Sequence, residues 1–184
     1  MWNPRNPSVK CRDWLRRRNA PLNSSSKVWN VTLQIRLSDP NAPEVRPLLD
    51  RHLALMHEIS PPESIHALAA DGLTDPSVTF WTIWDDGTLV GCGALKALDA
   101  THGEIKSMHT VLEARGKGVG AAMVQHILET ARDRKLYRIS LETGSQPAFE
   151  PARALYRRYG FTECPPFGSY KDDPNSVFMT LELV

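Results

Sequence analysis

The sequence predicts an α/β domain with a mixed, mostly antiparallel central sheet of about six or seven strands and helices on both faces. Short alternating apolar segments such as VTLQIRL, VTFWTIW and VFMTLELV have the period of half-buried strands. Longer segments place apolar residues three and four apart, the period of an amphipathic helix. The two kinds are interleaved along the chain, which is the pattern of a sheet covered by helices. At 184 residues, 41% hydrophobic and 23% charged, the chain is sized for one domain with a full core.

Residues 1–30, rich in Asn, Pro, Ser and Arg, have neither periodicity and are expected to form a flexible basic extension, with the domain spanning 31–184. VTLQIRL (31–37) predicts a strand. Asp39-Pro40 then leads into a helix over 44–58 whose apolar face is Val45, Leu48, Leu49, Leu53 and Met56. Pro61-Pro62 ends it, and a second short helix is expected over 63–70. VTFWTIW (78–84) and TLVGCGALKAL (88–98), joined across Asp85-Asp86-Gly87, predict a hairpin. A strand at 103–111 follows, then the glycine-punctuated RGKGVG and a helix to about 134 with Val119, Met123, Ile127 and Ala131 on one side. The segment 137–142 predicts a strand with Ile139 and Leu141 inward, and Pro151 suits the first position of a helix ended by Gly160. A short strand near 161–164 and the closing strand VFMTLELV complete the order.

The net charge of +1 is unevenly distributed: residues 1–30 carry seven Lys/Arg and one Asp, net +6, which leaves −5 on the remainder. The basic run at 12–18 has two readings, a solvated extension and a contact to RNA or an anionic surface. The first is preferred, so nucleic acid is not expected as a partner. No apolar run approaches the roughly 18 residues that a membrane helix needs, and no apolar secretory segment precedes the domain. Cys11, Cys92 and Cys164 are widely spaced and form no CxxC pair, and the six histidines contain no HExxH. His52 and His57, five apart on a helix, turn away from one another. These features predict a cytoplasmic protein with reduced thiols and no metal site.

Arg115-Gly116-Lys117-Gly118-Val119-Gly120 lies between a strand and a helix, where successive backbone N–H groups and the helix dipole converge. Glycine lets a diphosphate approach the backbone, and Arg115 and Lys117 supply matching charge. The spacing is neither GxxxxGK[ST] nor a full GxGxxG, which disfavours nucleoside triphosphates and NAD. Arg115, Gly118 and Gly120 match Q/R-x-x-G-x-G/A, and Ala152, Leu155, Tyr156, Gly160 and Phe161 match A-x-x-L-Y-x-x-x-G-F. On these two motifs residues 31–184 resemble the GNAT superfamily of N-acetyltransferases, and GEIKSM, LETGS, FEPARALY and PFGSY are similar to a branch of small bacterial members.

The resemblance implies acetyl-CoA as cosubstrate and an amine acceptor as partner. It implies that backbone groups at Met108, His109 and Thr110 hold the pantetheine arm and that Arg115, Gly116, Lys117, Gly118, Val119, Gly120 and Ala121 hold the pyrophosphate. Met108 also suits the core, and both roles can hold together because the ligand contact uses only backbone. Many relatives carry Asn seven residues before the tyrosine, where this chain has Phe149, so the contact of that Asn is not expected.

The chemistry expected of such an enzyme is transfer of acetyl to a primary amine by direct attack through a tetrahedral intermediate. An amine of pKa near 10 must lose a proton first, an oxyanion needs an N–H donor, and the departing thiolate gains from an acid. The resemblance implies Tyr156 as that acid; the alternative is a core aromatic. Glu104, eleven residues before Arg115, matches the position of the base in histone-modifying members, against a solvent-facing carboxylate at a strand edge. Glu142 in LETGS is a rival base, and a water relay a third route. Acceptor contacts are expected from His57, Glu58, Ser64 and His66 and from Phe167, Tyr170, Asp172 and Asp173, where aromatics beside carboxylates would suit a cationic amine. Cys92 has no adjacent histidine, so an acyl-cysteine route is not expected. A non-catalytic acetyl-CoA sensor is the competing function, and a homodimer is compatible with the sequence.

Overall fold

A computed structural model describes residues 33–66 and 68–183, so the expected extension at 1–30 lies outside the described residues. The elements run β1 (Leu33–Leu37), α1 (Arg46–Ile59), α2 (Ala70–Leu73), β2 (Val78–Asp85), β3 (Thr88–Ala97), β4 (His102–Thr110), α3 (Val119–Asp133), β5 (Arg138–Gly144), α4 (Glu150–Arg158), β6 (Thr162–Glu163) and β7 (Ser176–Glu182). The sheet has seven strands in the order β1-β2-β3-β4-β5-β7-β6. Among the described residues only β4 and β5 pair in parallel, because the α3 crossover between them returns the chain in the same direction.

Alternation along the strands divides the core in two. One face, with Leu95, Ile105, Ile139, Leu141 and Met179, is covered by α3 through Met123, Val124, Ile127 and Leu128 and by α4 through Tyr156. On the other face Phe80, Cys92 and Ala94 meet Val45, Leu48 and Leu49 of the α1 region and Ala70 and Leu73 of α2. Residues 63–70 do not form the expected helix. A 3₁₀ turn at Pro62–Ser64 is followed by extended Ile65, and α2 is a single turn. Two prolines fix φ and remove donors at the point where a helix would have to nucleate. On α1 the stripe Val45, Leu48, Leu49 continues to His52, while Leu53 is only half-buried.

The geometry of β4 positions everything that follows. Cys92 faces His109 and Ala94 faces Lys106, so β4 spends three residues where β3 spends two. The extra residue is a bulge at Ser107, which adopts φ 52°, and the Cys92 thiol donates to the Ser107 carbonyl at 3.3 Å. The parallel ladder with β5 ends at Ile105 opposite Leu141, although β4 continues to Thr110 and β5 to Gly144. Beyond that pair the two strands have parted.

Two features make this fold sensitive to change. Gly91 of β3 lies so close to the bulged strand that a Cβ would stand 2.6 Å from the His109 carbonyl oxygen and 3.0 Å from Ile83 Cγ2. At the lower end of the sheet, Arg138 donates to His102 Nδ1 at 3.2 Å, so the ring proton sits on Nε2 and points to Ser140 Oγ at 2.8 Å. Burial lowers the pKa of His52 and of His109 to about 4, and it also lowers those of His102 and His126.

Gly91→Ala should therefore destabilise by about 1–3 kcal/mol, since a backbone carbonyl cannot yield as a side-chain tip can. Circular dichroism melts should show Tm falling by several degrees; an unchanged Tm would contradict the close approach. The histidines give an acid limb. Their folded pKa values lie below the unfolded value of 6.5, so the unfolded state binds more protons below that pH. Stability from this source is complete above 6.5 and is lost as pH falls toward about 4. Denaturant midpoints should drop between about pH 7 and about pH 5, above the range in which ordinary carboxylates titrate; a constant midpoint would contradict it.

Candidate functional site

The parting of β4 and β5 opens a cavity of about 750 Å³ that runs from the α3 N-terminus to the ends of α1 and β5. At one end is the glycine loop. A 3₁₀ turn at Leu112–Ala114 leads to Gly116 and Gly118 at φ 74° and 87°, and Gly118 forms the N-terminal boundary of α3. No side chain caps α3, so the first amides of the helix keep their hydrogen-bonding capacity, with the positive end of the dipole behind them. A Cβ at Gly116 or Gly118 would meet no atom within 4 Å, which leaves an open cradle suited to an anion. Arg115, Gly116, Gly118, Val119, Gly120 and Ala121 all line the cavity. Val119 does so while its side chain is in the core. Lys117 is exposed and outside the lining, so its charge acts from a distance.

The middle of the cavity is β4. Met108, His109 and Thr110 line it, and in this stretch the strand has β3 on one side and no ladder on the other. Met108 also packs on the larger core, as the core reading of it expected.

Tyr156 of α4 forms the wall opposite. It is 5% exposed, meets Phe161 edge-on at 5.8 Å, and its hydroxyl makes no hydrogen bond among the described residues. Burial first, and then the charge of Glu142, raise its pKa, so the phenol keeps its proton at neutral pH. Arg153, three residues earlier, is 7% exposed and fastens the helix to the end of β5. It donates to the carbonyls of Gly144 and Gln146 and to Glu150 Oε2 at 2.8 Å. Sequence reasoning missed Arg153; the signal was a charged residue on the inner face of a helix that is otherwise polar outside.

The two candidate carboxylates are in different settings. Glu104, in the paired part of β4, accepts from Lys106 Nζ at 2.9 Å and from the Tyr170 hydroxyl at 2.5 Å. It lines a second, smaller cavity of about 230 Å³ together with Phe167 and Tyr170. Glu142, one residue beyond the last β4–β5 pair, lines the large cavity. Lys106 and His66 line both, forming the partition. Phe167 and Tyr170 pack edge-on at 5.1 Å and rest on Phe178, so the loop before β7 closes this side.

His57 is a correction to the expected acceptor contacts. It is exposed and outside both linings, because the cavity takes His52, Leu55, Met56 and Ile59 from α1, and position 57 is rotated away from that stripe. Glu58 is exposed as well. His52 lines the cavity: its ring lies 5.1 Å from that of His109, and its Nδ1 is buried without a partner among the described residues. Ser107 Oγ, also in the cavity lining, is buried without a partner among the described residues. Among the described residues no group of three or more His, Cys, Asp or Glu could hold a metal ion, and no helix is long and apolar enough to cross a membrane.

Comparison with known proteins agrees with this geometry. Residues 43–161 match the model of the acetyltransferase (GNAT) family. The chain is 51% identical to a Bacillus subtilis protein named uncharacterized N-acetyltransferase YsnE, over 82% of this chain and 100% of that protein. It is 46% identical to uncharacterized N-acetyltransferase YedL of Escherichia coli, over 81% and 94%. A crystal structure from Klebsiella pneumoniae, of a protein assigned as an acyl-CoA N-acyltransferase, superposes with TM-score 0.70 at 28% identity, covering 84% of this chain and 100% of that one. The parted strands, the glycine loop at the head of α3 and these relatives together establish that the chain belongs to the acetyltransferase (GNAT) family of acetyl-CoA-dependent acyltransferases.

Proposed function

We propose that this enzyme moves the acetyl group of acetyl-CoA to a primary amine, on a small molecule or a protein, by direct attack. The observation that carries the reading is one continuous cavity that joins the open α3 N-terminus, the unladdered end of β4, and the pair Glu142 and Tyr156. Its volume of about 750 Å³ lies in the range of small-molecule sites, roughly 300–1,000 Å³. The amides of residues 116–120, with Arg115, would hold the pyrophosphate. Backbone groups of Met108, His109 and Thr110 would hold the pantetheine arm, and an N–H there would face the carbonyl oxygen. Acetyl-CoA supplies the activated acyl group when bound. The chain's own residues orient it, remove a proton from the amine and assist the leaving sulfur.

Direct attack is favoured by the state of Cys92. Its side chain is 1% exposed, its thiol is engaged by Ser107, and burial pushes its pKa up to about 12, so it offers no thiolate to carry an acetyl group. Cys92 and Cys164 are both free thiols, which suits the reducing cytoplasm.

Tyr156 acts as a hydrogen-bond donor to the departing sulfur. A thiolate has a pKa near 8.5, below that of a buried phenol, so complete proton transfer from Tyr156 alone is uphill and stabilisation by donation is the larger effect. The second proton of the attacking nitrogen can then reach sulfur through the same hydroxyl.

Three measurements test this. Release of CoA thiol with a panel of primary amines separates an enzyme from an acetyl-CoA sensor, which would bind and never turn over. Gly118→Val, which forces a β-branched residue to φ 87°, should abolish acetyl-CoA binding by calorimetry, and wild-type affinity would remove the glycine loop from the site. Tyr156→Phe should lower kcat by about 10²-fold with KM nearly unchanged, and turnover within about twofold of wild type would leave Tyr156 a core residue only.

A further inference from the structure

We propose that Glu142 is the catalytic base that takes the proton of the incoming ammonium group, and that Glu104, Lys106 and Tyr170 form the fixed frame beside it. The inference rests on the acyl-transfer reading above.

Position separates the two carboxylates. Glu104 stands opposite Ser140 inside the β4–β5 ladder, is 3% exposed, and faces the smaller cavity. Its Oε1 already accepts both from Lys106 and from Tyr170. Lys106 in turn donates to the Tyr170 hydroxyl at 2.7 Å and lies over that ring at 5.4 Å, which closes the triangle. To accept a proton Glu104 would have to give up a buried ion pair and leave Lys106 unmatched. Glu142 is different on each count. It is the first β5 residue past the ladder, it lines the large cavity with Tyr156, and only its Oε1 is engaged, by Ser176 Oγ at 2.6 Å. Among the described residues Oε2 has no partner. One oxygen is therefore anchored while the other is available to an amine.

The groups around Glu142 come from every neighbouring element. They are Glu104 and Lys106 of β4, Tyr156 of α4, His66 before α2, Tyr170 of the loop and Ser176 of β7. Burial is the largest influence and raises the carboxyl above its ordinary value of 4.5; Glu104 adds to this, while Ser176, His66 and Lys106 oppose it. A base moved toward neutrality meets a smaller mismatch with an amine of pKa near 10. Glu104 thus supports the reaction as a positioning residue that holds Lys106 and Tyr170 on the partition.

The step balances as follows. Glu142 Oε2 takes one proton from R–NH₃⁺, and the freed lone pair forms the C–N bond to the thioester carbonyl carbon. The C–S bond breaks with its electron pair on sulfur, the second nitrogen proton passes to sulfur by way of Tyr156, and Glu142 returns its proton to water. The products are one amide, one thiol and one proton.

Wild type, Glu142→Gln and Glu104→Gln would be assayed by thiol release from acetyl-CoA across about pH 6–10. Two probes would be used: butylamine, protonated over most of that range, and hydroxylamine, neutral at pH 7. E142Q should lose about 10²-fold or more with butylamine at pH 7, recover as pH approaches the amine pKa, and stay within a few-fold of wild type with hydroxylamine. Turnover of butylamine by E142Q within about twofold of wild type at pH 7, or the same pH-dependent loss in E104Q instead, would overturn the assignment while leaving acyl transfer intact. Rates are taken after subtraction of the spontaneous reaction of hydroxylamine with the thioester, and wild type that adds nothing to the spontaneous rate with these probes or with the amine panel would overturn both readings. Should E142Q fail to fold, Glu142→Asp is read by the same two-probe pH profiles: a loss at pH 7 with butylamine and not with hydroxylamine supports the base, and a profile unchanged for both probes overturns it.

Discussion

A parallel ladder that stops after four pairs governs the rest of this molecule. His102 to Ile105 run beside Arg138 to Leu141, and past them, where β4 carries the bulge at Ser107, the two strands no longer pair. A bulge costs a ladder position and a left-handed backbone at a residue other than glycine, and the surroundings have to hold it. They do so with the Cys92 thiol on the Ser107 carbonyl and with Gly91, whose missing side chain lets the displaced strand approach. The gap that results is bounded by strand ends and helix ends, where backbone dipoles and unpaired amides are concentrated, and it could not form in a continuous sheet.

The two faces of the sheet answer different physical demands. Under α3 and α4 the side chains are almost wholly apolar, and this face supplies the bulk of the burial. On the opposite face, beyond the reach of α1 and α2, β4, β5 and β7 present Glu104, Lys106, Ser140, Glu142, Ser176 and Thr180. Such groups are tolerated away from water only when their hydrogen bonds are met. Tyr170 of the loop before β7 bonds Glu104 and Lys106, His102 and Thr180 bond Ser140, and Ser176 bonds one oxygen of Glu142, while Phe167 packs over His102 and Phe178. The cavity draws on both faces, since Tyr156, Val119 and Met108 of the apolar side also line it.

Much of the fold was legible in the sequence. Period-two alternation located β1, β2, β5 and β7, the Asp-Gly turn located the hairpin, and Gly118 with Gly120 marked the head of α3. The short helix at 63–70 was misjudged because propensity cannot weigh two consecutive prolines against tertiary packing. The glycine loop stood out because its strand-to-helix context is local, whereas Tyr156 was singled out only by the motif A-x-x-L-Y-x-x-x-G-F, its own pattern being that of a core aromatic. Side-chain assignments that depend on strand register did not stand out. Glu104 and Glu142 both sit near strand ends, and nothing in their spacing tells which lies inside the ladder. His57 and His52 differ by a rotation about α1 that is fixed only once the helix has docked.

The division between backbone and side chain at the two ends of the cavity bears on how such a protein can diversify. The glycine-loop end relies on amides and on the absence of Cβ atoms, features that most substitutions elsewhere leave untouched. The far end is a mosaic of side chains from α1, the 62–66 segment, β5 and the loop before β7, segments distant in sequence that share no covalent constraint. Drift in any one of them can remodel the far end while the loop and helix head persist. A chain built on this plan can reshape one end of its cavity many times over while the other end stays as it is.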